Sequence, residues 1–232
     1  MSKYRHYSFD LWLTLIRSNP SFKKERAKFI FDNFNQFQKP LEEAEKAFRR
    51  IDLLANAINE KTGKHMDTDE LYLMVISEFN DHQYDLQSVD LAALYNEMEQ
   101  LFFRFMPRVY CNETKKVLET LYKRGDCTIS LLSNTAFIKG STLRQVLQQL
   151  EIGSYFKFQI YSDETGMSKP NILLFRKMID QVAISRNNEL IPLQEIVHIG
   201  DNNKADIDGA NAAGIQSLLI NSNNRCISSL LN

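Results

Sequence analysis

The sequence predicts an α/β protein whose parallel sheet is interrupted by an inserted block of helices. Near the N-terminus, the apolar stretch HYSFD ends in Asp10 and is typical of a buried strand. Residues 21 to about 105 have helical periodicity almost throughout, and short apolar strands alternate with helices after them. Alternation of this kind indicates βαβ units and a parallel sheet. We therefore expect a core made of residues 1–16 and 107–232 and a helical domain at 17–106.

Composition indicates a globular protein and argues against several classes of partner. The chain has 232 residues, 44% of them hydrophobic and 25% charged, which suits one large domain or a core with a smaller insert. The net charge is −1, and acidic and basic residues are mixed along the whole chain. No basic half indicates a nucleic acid or an anionic membrane as a partner.

The cysteines and the N-terminus both favour a cytoplasmic location. Cys111, Cys127 and Cys226 are widely spaced and form no CxxC pair, so neither a disulfide framework nor a zinc site is expected. No signal-peptide region precedes the first strand, and no apolar run approaches the roughly 18 residues of a membrane span. We expect a soluble protein in a reducing compartment.

The inserted block contains four predicted helices joined by short turns, as in a helical bundle. Pro40 opens the second of these helices, and Gly63 ends it. Asp67, Thr68 and Asp69 are candidate N-caps of the third. The four stretches are FKKERAKFIFDNFNQF, LEEAEKAFRRIDLLANAINEKTG, DTDELYLMVISEF and SVDLAALYNEMEQLFFRF. Their phenylalanines are interpreted as bundle core, namely Phe29, Phe34, Phe37, Phe102, Phe103 and Phe105.

The remaining elements alternate regularly between strand and helix. The predicted strands are TISLLSN, FKFQIYSDE, EIVHIGDNN and QSLLI. The predicted helices are ETKKVLETLYKRG, STLRQVLQQL, NILLFRKMIDQVAI and KADIDGANAAG. Ligands of parallel sheets bind beyond the carboxyl ends of the strands, where Asp10, Ser133 and Asp201 fall.

Four separated motifs combine into one candidate site. They are FDLWLT at residues 9–14, LLSNT at 131–135, SKP at 168–170 and IGDNNKAD at 199–206. Each motif alone is consistent with a turn, a helix cap or a polar loop. Three of them, however, end predicted strands, and the fourth opens a helix. Their common position at the strand ends favours a shared chemical role.

The residue types in these motifs suit phosphoryl chemistry. Asp10 can act as a carboxylate nucleophile that forms an aspartyl-phosphate. Lys169 supplies a positive charge, and the Ser133 hydroxyl with the backbone N–H groups after it can bind an oxyanion. Together with Asp10, Asp201 and Asp206 can hold a hard divalent cation such as Mg²⁺.

These motifs, in this order, resemble those of the haloacid dehalogenase superfamily, a group made mostly of phosphohydrolases. The resemblance covers residues 1–16 and 107–232 and implies a Rossmann-like core with a helical cap inserted after the first motif. It implies that Asp10 is the nucleophile and a magnesium ligand, and that the Trp12 backbone carbonyl also binds the metal. The other implied roles are Thr14 in the first motif, Ser133 and Asn134 as substrate contacts, Lys169 as charge stabiliser, and Asp201 and Asp206 at the metal.

Trp12 departs from the family's phosphatase pattern. Phosphatases of this family have an aspartate there, which serves as general acid for the leaving oxygen. The indole N–H of Trp12 is only a hydrogen-bond donor. General acid catalysis typically contributes about 10²–10⁴ in rate, so its loss needs an explanation.

Three interpretations of Trp12 remain open. The protein is a phosphohydrolase or phosphotransferase whose leaving group needs no proton or receives one from the cap. Alternatively it is a 2-haloacid dehalogenase, since those relatives have an aromatic residue here, but they use no metal. Third, it is a binding or regulatory protein with little turnover. We favour the first interpretation because Asp201 and Asp206 together indicate a metal site.

Other features give weaker indications about the ligand. We expect a small phosphorylated or otherwise anionic substrate, while the sequence does not indicate an oligomeric state. Arg17, Lys23, Lys24 and Arg26 can meet such a substrate, although a solvated helix face is the simpler interpretation. The four histidines have no ligand spacing, and His198 is interpreted as a core histidine.

Overall fold

A central parallel sheet organises the computed structural model, which describes residues 4–231. Within this range the strands are β1 (His6–Phe9), β2 (Ile16–Arg17), β3 (Arg108–Val109), β4 (Thr128–Ser133), β5 (Phe158–Tyr161), β6 (Ile196–Gly200) and β7 (Gln216–Leu219). Five of them form one sheet in the order β5-β4-β1-β6-β7, and β2 pairs with β3 in a separate ribbon. The predicted α/β class with a parallel sheet is confirmed. The outermost residues of the predicted core, 1–3 and 232, lie outside the described range.

Strand β1 lies at the centre of the sheet and pairs in parallel with β4 and β6. Tyr7 is in register with Ile129 on one side and Val197 on the other. Every residue of β1 is buried, as expected for a strand covered on both faces. The parallel pairing brings the carboxyl ends of β1, β4 and β6 to one edge of the sheet, where the predicted site residues follow.

The described part of the chain also contains nine α-helices. The inserted ones are α1 (Pro20–Asn33), α2 (Leu41–Thr62), α3 (Thr68–Phe79) and α4 (Leu91–Arg104). The others are α5 (Thr114–Arg124), α6 (Gly140–Gln149), α7 (Ser162–Thr165), α8 (Ile172–Ser185) and α9 (Gly209–Ala212). No helix within residues 4–231 is long and apolar enough to cross a membrane.

The inserted helices begin and end at residues that satisfy their free backbone groups. The Asn19 side chain accepts from Ser21 N ahead of α1, with Pro20 in the first turn. Asp67 and Glu70 form a capping box at α3. Gly63 ends α2 with φ of 66°, a left-handed conformation that glycine adopts without strain. The helix boundaries therefore follow local chemistry that is readable in the sequence.

The helical insertion, defined here as α1 to α4, packs around a cluster of buried apolar side chains. Ile30, Phe48, Val75 and Met98 belong to this cluster, and Phe137 joins it from the loop after β4. The interpretation of all six phenylalanines as bundle core is wrong for Phe37 because α1 ends before it. The Asn35 side chain forms hydrogen bonds with both N and O of Lys39 and so holds a turn there. Phe37 is 42% exposed in consequence.

Phe102 also differs from the predicted role. Like the partly buried Phe103 and Phe105, it packs with the cluster of the sheet rather than with the cluster of the helical insertion, and it is itself buried. Its ring contacts Phe22 with centroids 5.0 Å apart. Phe102 therefore connects the insertion to the core.

In two elements of the core, part of the observed secondary structure differs from the prediction. The stretch FKFQIYSDE is a strand only as far as Tyr161, and α7 begins at Ser162. Ser162 Oγ accepts from Thr135 N at 2.8 Å, and Asp163 accepts from Gly140 N at 2.9 Å. These bonds turn the polar residues toward the loop after β4. The predicted helix KADIDGANAAG is a π-helix over Asn203–Asp208, followed by α9.

Two cysteines lie close together although they are far apart in the sequence. The Sγ atoms of Cys111 and Cys226 are 2.9 Å apart, and both thiols are free. The structure thus has no disulfide among the described cysteines, and their wide spacing concealed this contact.

His6 is expected to make stability fall as the pH is lowered. Its ring is buried, with Nδ1 2.8 Å from Thr128 Oγ1 and Nε2 2.9 Å from Ser130 Oγ. Burial, followed by the charges of Arg186 and His198, lowers the pKa of His6 from 6.5 to about 3. Between these values the unfolded chain binds a proton that the folded chain does not. Stability is therefore fully present above pH 6.5 and declines below it, by about 1.4 kcal/mol per pH unit from this residue.

The measurement is urea unfolding of wild type, His6→Gln and His82→Gln between pH 7 and pH 5. His6→Gln should show a smaller loss of unfolding free energy over this range. His82 has 70% of its side chain exposed, so His82→Gln should follow wild type. Equal pH dependence in all three proteins would contradict the assignment to His6.

Candidate active site

Three carboxylates converge at the carboxyl edge of the sheet. Asp10 follows β1, Asp201 follows β6, and Asp206 returns to the same place from the π-helix. One oxygen from each side chain can be chosen so that all lie within 4.8 Å of one another. The structure thus brings together the three side chains that were predicted to bind a metal.

Lys169 lies between two of these carboxylates, Asp10 and Asp206. It is 1% exposed, and its Nζ donates to Asp10 Oδ1 at 2.7 Å and to Asp206 Oδ1 at 2.6 Å. Asn134 holds the Lys169 backbone from both sides, accepting from its N at 2.7 Å and donating to its O at 3.1 Å. The predicted residues of the second, third and fourth motifs therefore form one connected group with Asp10.

The carboxylates carry more negative charge than Lys169 can neutralise. Burial raises the pKa of Asp10 to about 7, even though Lys169 acts in the opposite direction. Burial and the charge of Asp206 raise the pKa of Asp201 to about 6. Burial acts in the same direction on Asp206, but Lys169 and His198 outweigh it and lower the pKa of that carboxyl. Three acids beside one ammonium leave room for about two further positive charges.

This donor set fits a magnesium ion. Magnesium prefers oxygen ligands and is usually held by a few carboxylates with water and substrate oxygens. A divalent cation would neutralise the excess charge of Asp10, Asp201 and Asp206. The residues present are therefore suited in type, charge and spacing to hold such an ion.

His198 positions Asp206, a contact that its interpretation as a core histidine missed. It is fully buried, as expected, and burial lowers the pKa of its imidazole against the opposing effect of Asp206. The neutral ring donates from Nε2 to Asp206 Oδ1 at 3.1 Å and accepts at Nδ1 from Ser8 Oγ at 3.0 Å. Asn202 N also donates to Asp206 Oδ2, at 3.0 Å.

Gly200 provides the space that Asp206 occupies. A Cβ at position 200 would lie 2.1 Å from Asp206 Cγ, far closer than van der Waals contact. The π-helix brings Asp206 back to this point, with its N donating to Asn202 O at 2.9 Å. The glycine directly before Asp201, at the end of an apolar strand, was the available sequence signal for this close approach.

Neither Thr14 nor Ser133 lines the cavity that contains Asp10. The fully buried Thr14 donates from Oγ1 to Asp201 Oδ1 at 3.4 Å and so supports Asp201. Ser133 is also buried, and its hydroxyl donates to the carbonyl oxygen of Asn134 at 3.0 Å. The contact between Ser133 and a substrate phosphate stays a prediction.

The loop after Asp10 presents an aromatic wall and a strained residue. Trp12 is partly buried, with its ring centroid 6.3 Å from that of Phe102. Leu13 has φ of 58°, a left-handed conformation that costs a leucine roughly 1–2 kcal/mol. Asn221 restrains the loop by donating from Nδ2 to the Leu13 and Thr14 carbonyls at 2.7 and 3.2 Å. Metal binding by the Trp12 carbonyl stays a prediction.

A cavity of about 360 Å³ joins the carboxylates to the helical insertion. Of the four basic residues singled out near the start of the insertion, Lys23 and Arg26 line this cavity, whereas Arg17 and Lys24 do not. The remaining walls include aromatic and acidic side chains, among them Trp12, Phe22, Phe102, Phe137, Asp52 and Glu60. The volume suits a small ligand that reaches from Asp10 to α1.

Comparison with known proteins identifies a family and several relatives. The family model for haloacid dehalogenase-like hydrolase matches residues 4–214. The uncharacterised protein YMR130W of Saccharomyces cerevisiae is 29% identical over 125 residues, which are 50% of this chain and 40% of that protein. A ribulose-1,5-bisphosphate 5-phosphatase of Halopiger xanaduensis is 27% identical over 163 residues, 70% of this chain and 62% of the relative. The matched regions thus span less than two thirds of either curated relative.

Solved structures share the fold at low sequence identity. The magnesium-bound structure of Bacillus subtilis YfnB, provisionally assigned as a HAD-hydrolase, has a TM-score of 0.71 at 18% identity, covering 95% of this chain and 90% of that one. The 2-haloacid dehalogenase of Pseudomonas syringae pv. Tomato DC3000 has a TM-score of 0.63 at 19% identity, covering 97% and 89%. At these identities the likeness concerns the fold alone.

Proposed function

The chain belongs to the haloacid dehalogenase-like hydrolases, and from this premise we propose that it is a magnesium-dependent phosphohydrolase or phosphotransferase acting through Asp10. The observation that carries the proposal is the grouping of Asp10, Asp201 and Asp206, with Lys169 bonded to the first and the last of them. A triad of acids, two of them buried, with a single cation suits a divalent metal and a phosphate. The similarity to a ribulose-1,5-bisphosphate 5-phosphatase also favours phosphoryl chemistry.

Asp10 acts as the nucleophile in the proposed reaction. A carboxylate oxygen of Asp10 forms a bond to phosphorus, and the bond from phosphorus to the leaving oxygen breaks, with the electron pair staying on that oxygen. In the second step a water oxygen attacks the phosphorus and loses a proton to solvent. The bond to Asp10 then breaks, so that inorganic phosphate is released and the carboxylate is regenerated.

Lys169 and the other acids of the cluster prepare this chemistry. The Lys169 ammonium, held by Asp10 and Asp206, places a positive charge where phosphoryl oxygens approach. Asp10, Asp201 and Asp206 would hold Mg²⁺, which when bound neutralises phosphate charge and allows an anionic nucleophile to approach. His198 and Asn202 keep the Asp206 carboxylate fixed.

The helical insertion is proposed to act as a cap over this site. Its α1, α2 and α4 contribute side chains to the cavity that contains Asp10. We therefore retain the division into a core of residues 1–16 and 107–232 and a cap of 17–106. Such a lid excludes water and selects the substrate.

Trp12 restricts the leaving groups that the site can handle. Phenolates and acyl carboxylates leave as stable anions and need no proton at that position. Alternatively, an acid from the insertion replaces the missing aspartate. Asp52 and Glu60 are the carboxylic acids that the insertion contributes to the cavity lining. Asn202 Nδ2 donates to Glu60 Oε1 at 2.9 Å, whereas Asp52 has no ion pair within the described residues.

Trp12→Asp is expected to raise turnover of alkyl phosphates by up to about a hundredfold, because it restores a general acid. Turnover of p-nitrophenyl phosphate, whose leaving group needs no proton, should change much less. The measurement is kcat/KM for both substrates. The control is Trp12→Asn, which has the same shape as the aspartate but no acidic proton. An equal gain in both variants, or a loss on every substrate with Trp12→Asp, would contradict this interpretation.

The proposed function is tested by a steady-state assay on p-nitrophenyl phosphate and acetyl phosphate, with Mg²⁺ and with EDTA. We expect turnover that requires magnesium. Absence of turnover on both substrates would contradict the phosphohydrolase assignment and favour a binding protein with little turnover.

A dehalogenase is the second candidate, favoured by the aromatic Trp12 beside Phe102 in the cavity wall. Halide leaves carbon without protonation, so Trp12 would carry no disadvantage. The same protein is incubated with 2-chloropropionate, and chloride release is measured. Metal-independent chloride release without phosphate turnover would replace the first assignment.

A further inference from the structure

Arg26 presents an unpaired guanidinium to the active-site cavity. It lies on α1, and its Nε is buried without a hydrogen-bond partner. No ion pair involves Arg26 among the residues that the structure describes. A buried donor without an acceptor is costly and is uncommon in folded proteins. An anionic ligand in the cavity would supply the missing acceptor.

Three aromatic rings hold the guanidinium in place. The Arg26 Cζ atom is 4.3 Å from the centroid of Phe48, 4.7 Å from that of Phe137 and 5.5 Å from that of Phe22. These rings come from α2, from the loop after β4 and from α1. Ring faces attract the cation but offer no lone pair to its N–H groups. This aromatic cage, formed by Phe22, Phe48 and Phe137, therefore restricts the movement of Arg26, while the N–H groups of the guanidinium are left without acceptors within the described residues.

The charges around Arg26 leave it as a half-buried cation at the insertion side of the cavity. Burial lowers the pKa of Arg26, and the electrostatic effects of Tyr72 and Asp52 act in the opposite direction. Asp52 lines the same cavity as Arg26, but the two form no ion pair within the described residues. Glu60 is held by Asn202 and Lys204. Lys23, one of the exposed residues of α1, adds a second positive charge to the lining. The catalytic end of the same cavity contains Lys169.

We propose that Arg26 binds a second anionic group of the substrate, remote from the phosphate that is transferred to Asp10. This inference rests on the proposed phosphoryl function, and it specifies the substrate class. The guanidinium fork matches a carboxylate or a phosphate through paired hydrogen bonds. The substrate is therefore a small phosphate ester or anhydride that carries a second oxyanion at its other end.

The experiment measures binding and turnover separately. Calorimetry in the presence of Mg²⁺ uses three unreactive probes: phenylphosphonate with one anionic group, 4-phosphonobenzoate with an added carboxylate, and benzene-1,4-bisphosphonate with an added phosphonate. The proteins are wild type, Arg26→Met, Arg26→Lys and the control Lys24→Met. Lys24 is exposed on the same helix and does not line the cavity. Turnover of p-nitrophenyl phosphate is recorded for each protein.

We expect at least one doubly anionic probe to bind wild type about tenfold or more tightly than phenylphosphonate. Arg26→Met should remove this preference, Arg26→Lys should retain part of it, and Lys24→Met should leave it unchanged. Tighter binding of 4-phosphonobenzoate would identify the second group as a carboxylate, and tighter binding of benzene-1,4-bisphosphonate would identify it as a phosphate. Asp52→Asn should increase the preference, because it removes a negative charge near Arg26.

Two results would overturn the assignment of Arg26. One is an equal affinity of wild type for all three probes. The other is an equal loss of affinity for every probe in Arg26→Met, which would make Arg26 a structural clamp between insertion and core. An Arg26-dependent preference without turnover of any aryl phosphate would instead overturn the phosphohydrolase function and keep the anion site.

Discussion

Asp10→Asn is expected to reduce turnover of p-nitrophenyl phosphate at least about a thousandfold while the protein stays folded. The amide cannot form the phosphoryl bond that the carboxylate forms. Lys169 would still donate to Asp206 Oδ1, so the buried ammonium keeps an anionic partner. Burial, and after it the charges of Asp206 and Asp201, raises the pKa of Asp10, so removal of this acid also relieves repulsion within the cluster. The measurement is kcat at saturating magnesium, with thermal unfolding of both proteins.

The matched control for this variant is Asp208→Asn. Asp208 is exposed and lies outside the carboxylate cluster, two positions after Asp206. It should retain wild-type turnover. If Asp10→Asn retained substantial activity in a preparation free of wild-type protein, Asp10 could not be the nucleophile.

Asp201→Ala is expected to weaken magnesium binding at least about a hundredfold, since even residues behind a metal ligand commonly contribute tenfold to a hundredfold. Asp201 suits this test because, within residues 4–231, its carboxylate accepts a side-chain hydrogen bond only from Thr14, at a long 3.4 Å. Its backbone carbonyl keeps the bond from Ser222 Oγ at 2.7 Å. The fold should therefore tolerate the substitution. Magnesium affinity is measured by calorimetry.

Asp208→Ala is the control for the metal measurement because it removes an acid from the same segment without touching the cluster. Its magnesium affinity should equal that of wild type. An unchanged affinity in Asp201→Ala, in a protein with wild-type unfolding, would exclude Asp201 as a ligand and require a different metal site.

The grouping of the three carboxylates was predictable because a parallel sheet determines where strand ends meet. Asp10 and Asp201 end apolar stretches, so their proximity followed once the strands were known to be parallel. Lys169 and Asp206 followed from the order of the motifs. The local signals of Gly63 and Asp67 likewise predicted where helices of the insertion end and begin.

Other features depend on contacts between distant segments, which one sequence does not reveal. The sequence neighbours of His198 are apolar, so the sequence suggests only a position in the core. The fold shows that the His198 ring faces Asp206. Arg26 and Lys24 are basic residues of the same stretch, and the sequence does not distinguish their roles. In the structure, only Arg26 of the two enters the aromatic cage. Strand β5 ends at Tyr161, earlier than predicted, because Ser162 forms hydrogen bonds with the loop after β4.

The central position of β1 has a consequence for the order of folding. His6 must pair with Thr128 on one side and Ile196 on the other, so the strand that carries Asp10 is made first but receives both neighbours late in synthesis. Pairings between such distant segments require the closure of long loops and form slowly. The helical insertion has its own apolar cluster from nearby segments and can gain structure earlier. A growing chain therefore carries Asp10, the proposed nucleophile, in an incomplete sheet, and the carboxylate cluster cannot form until β6 has emerged.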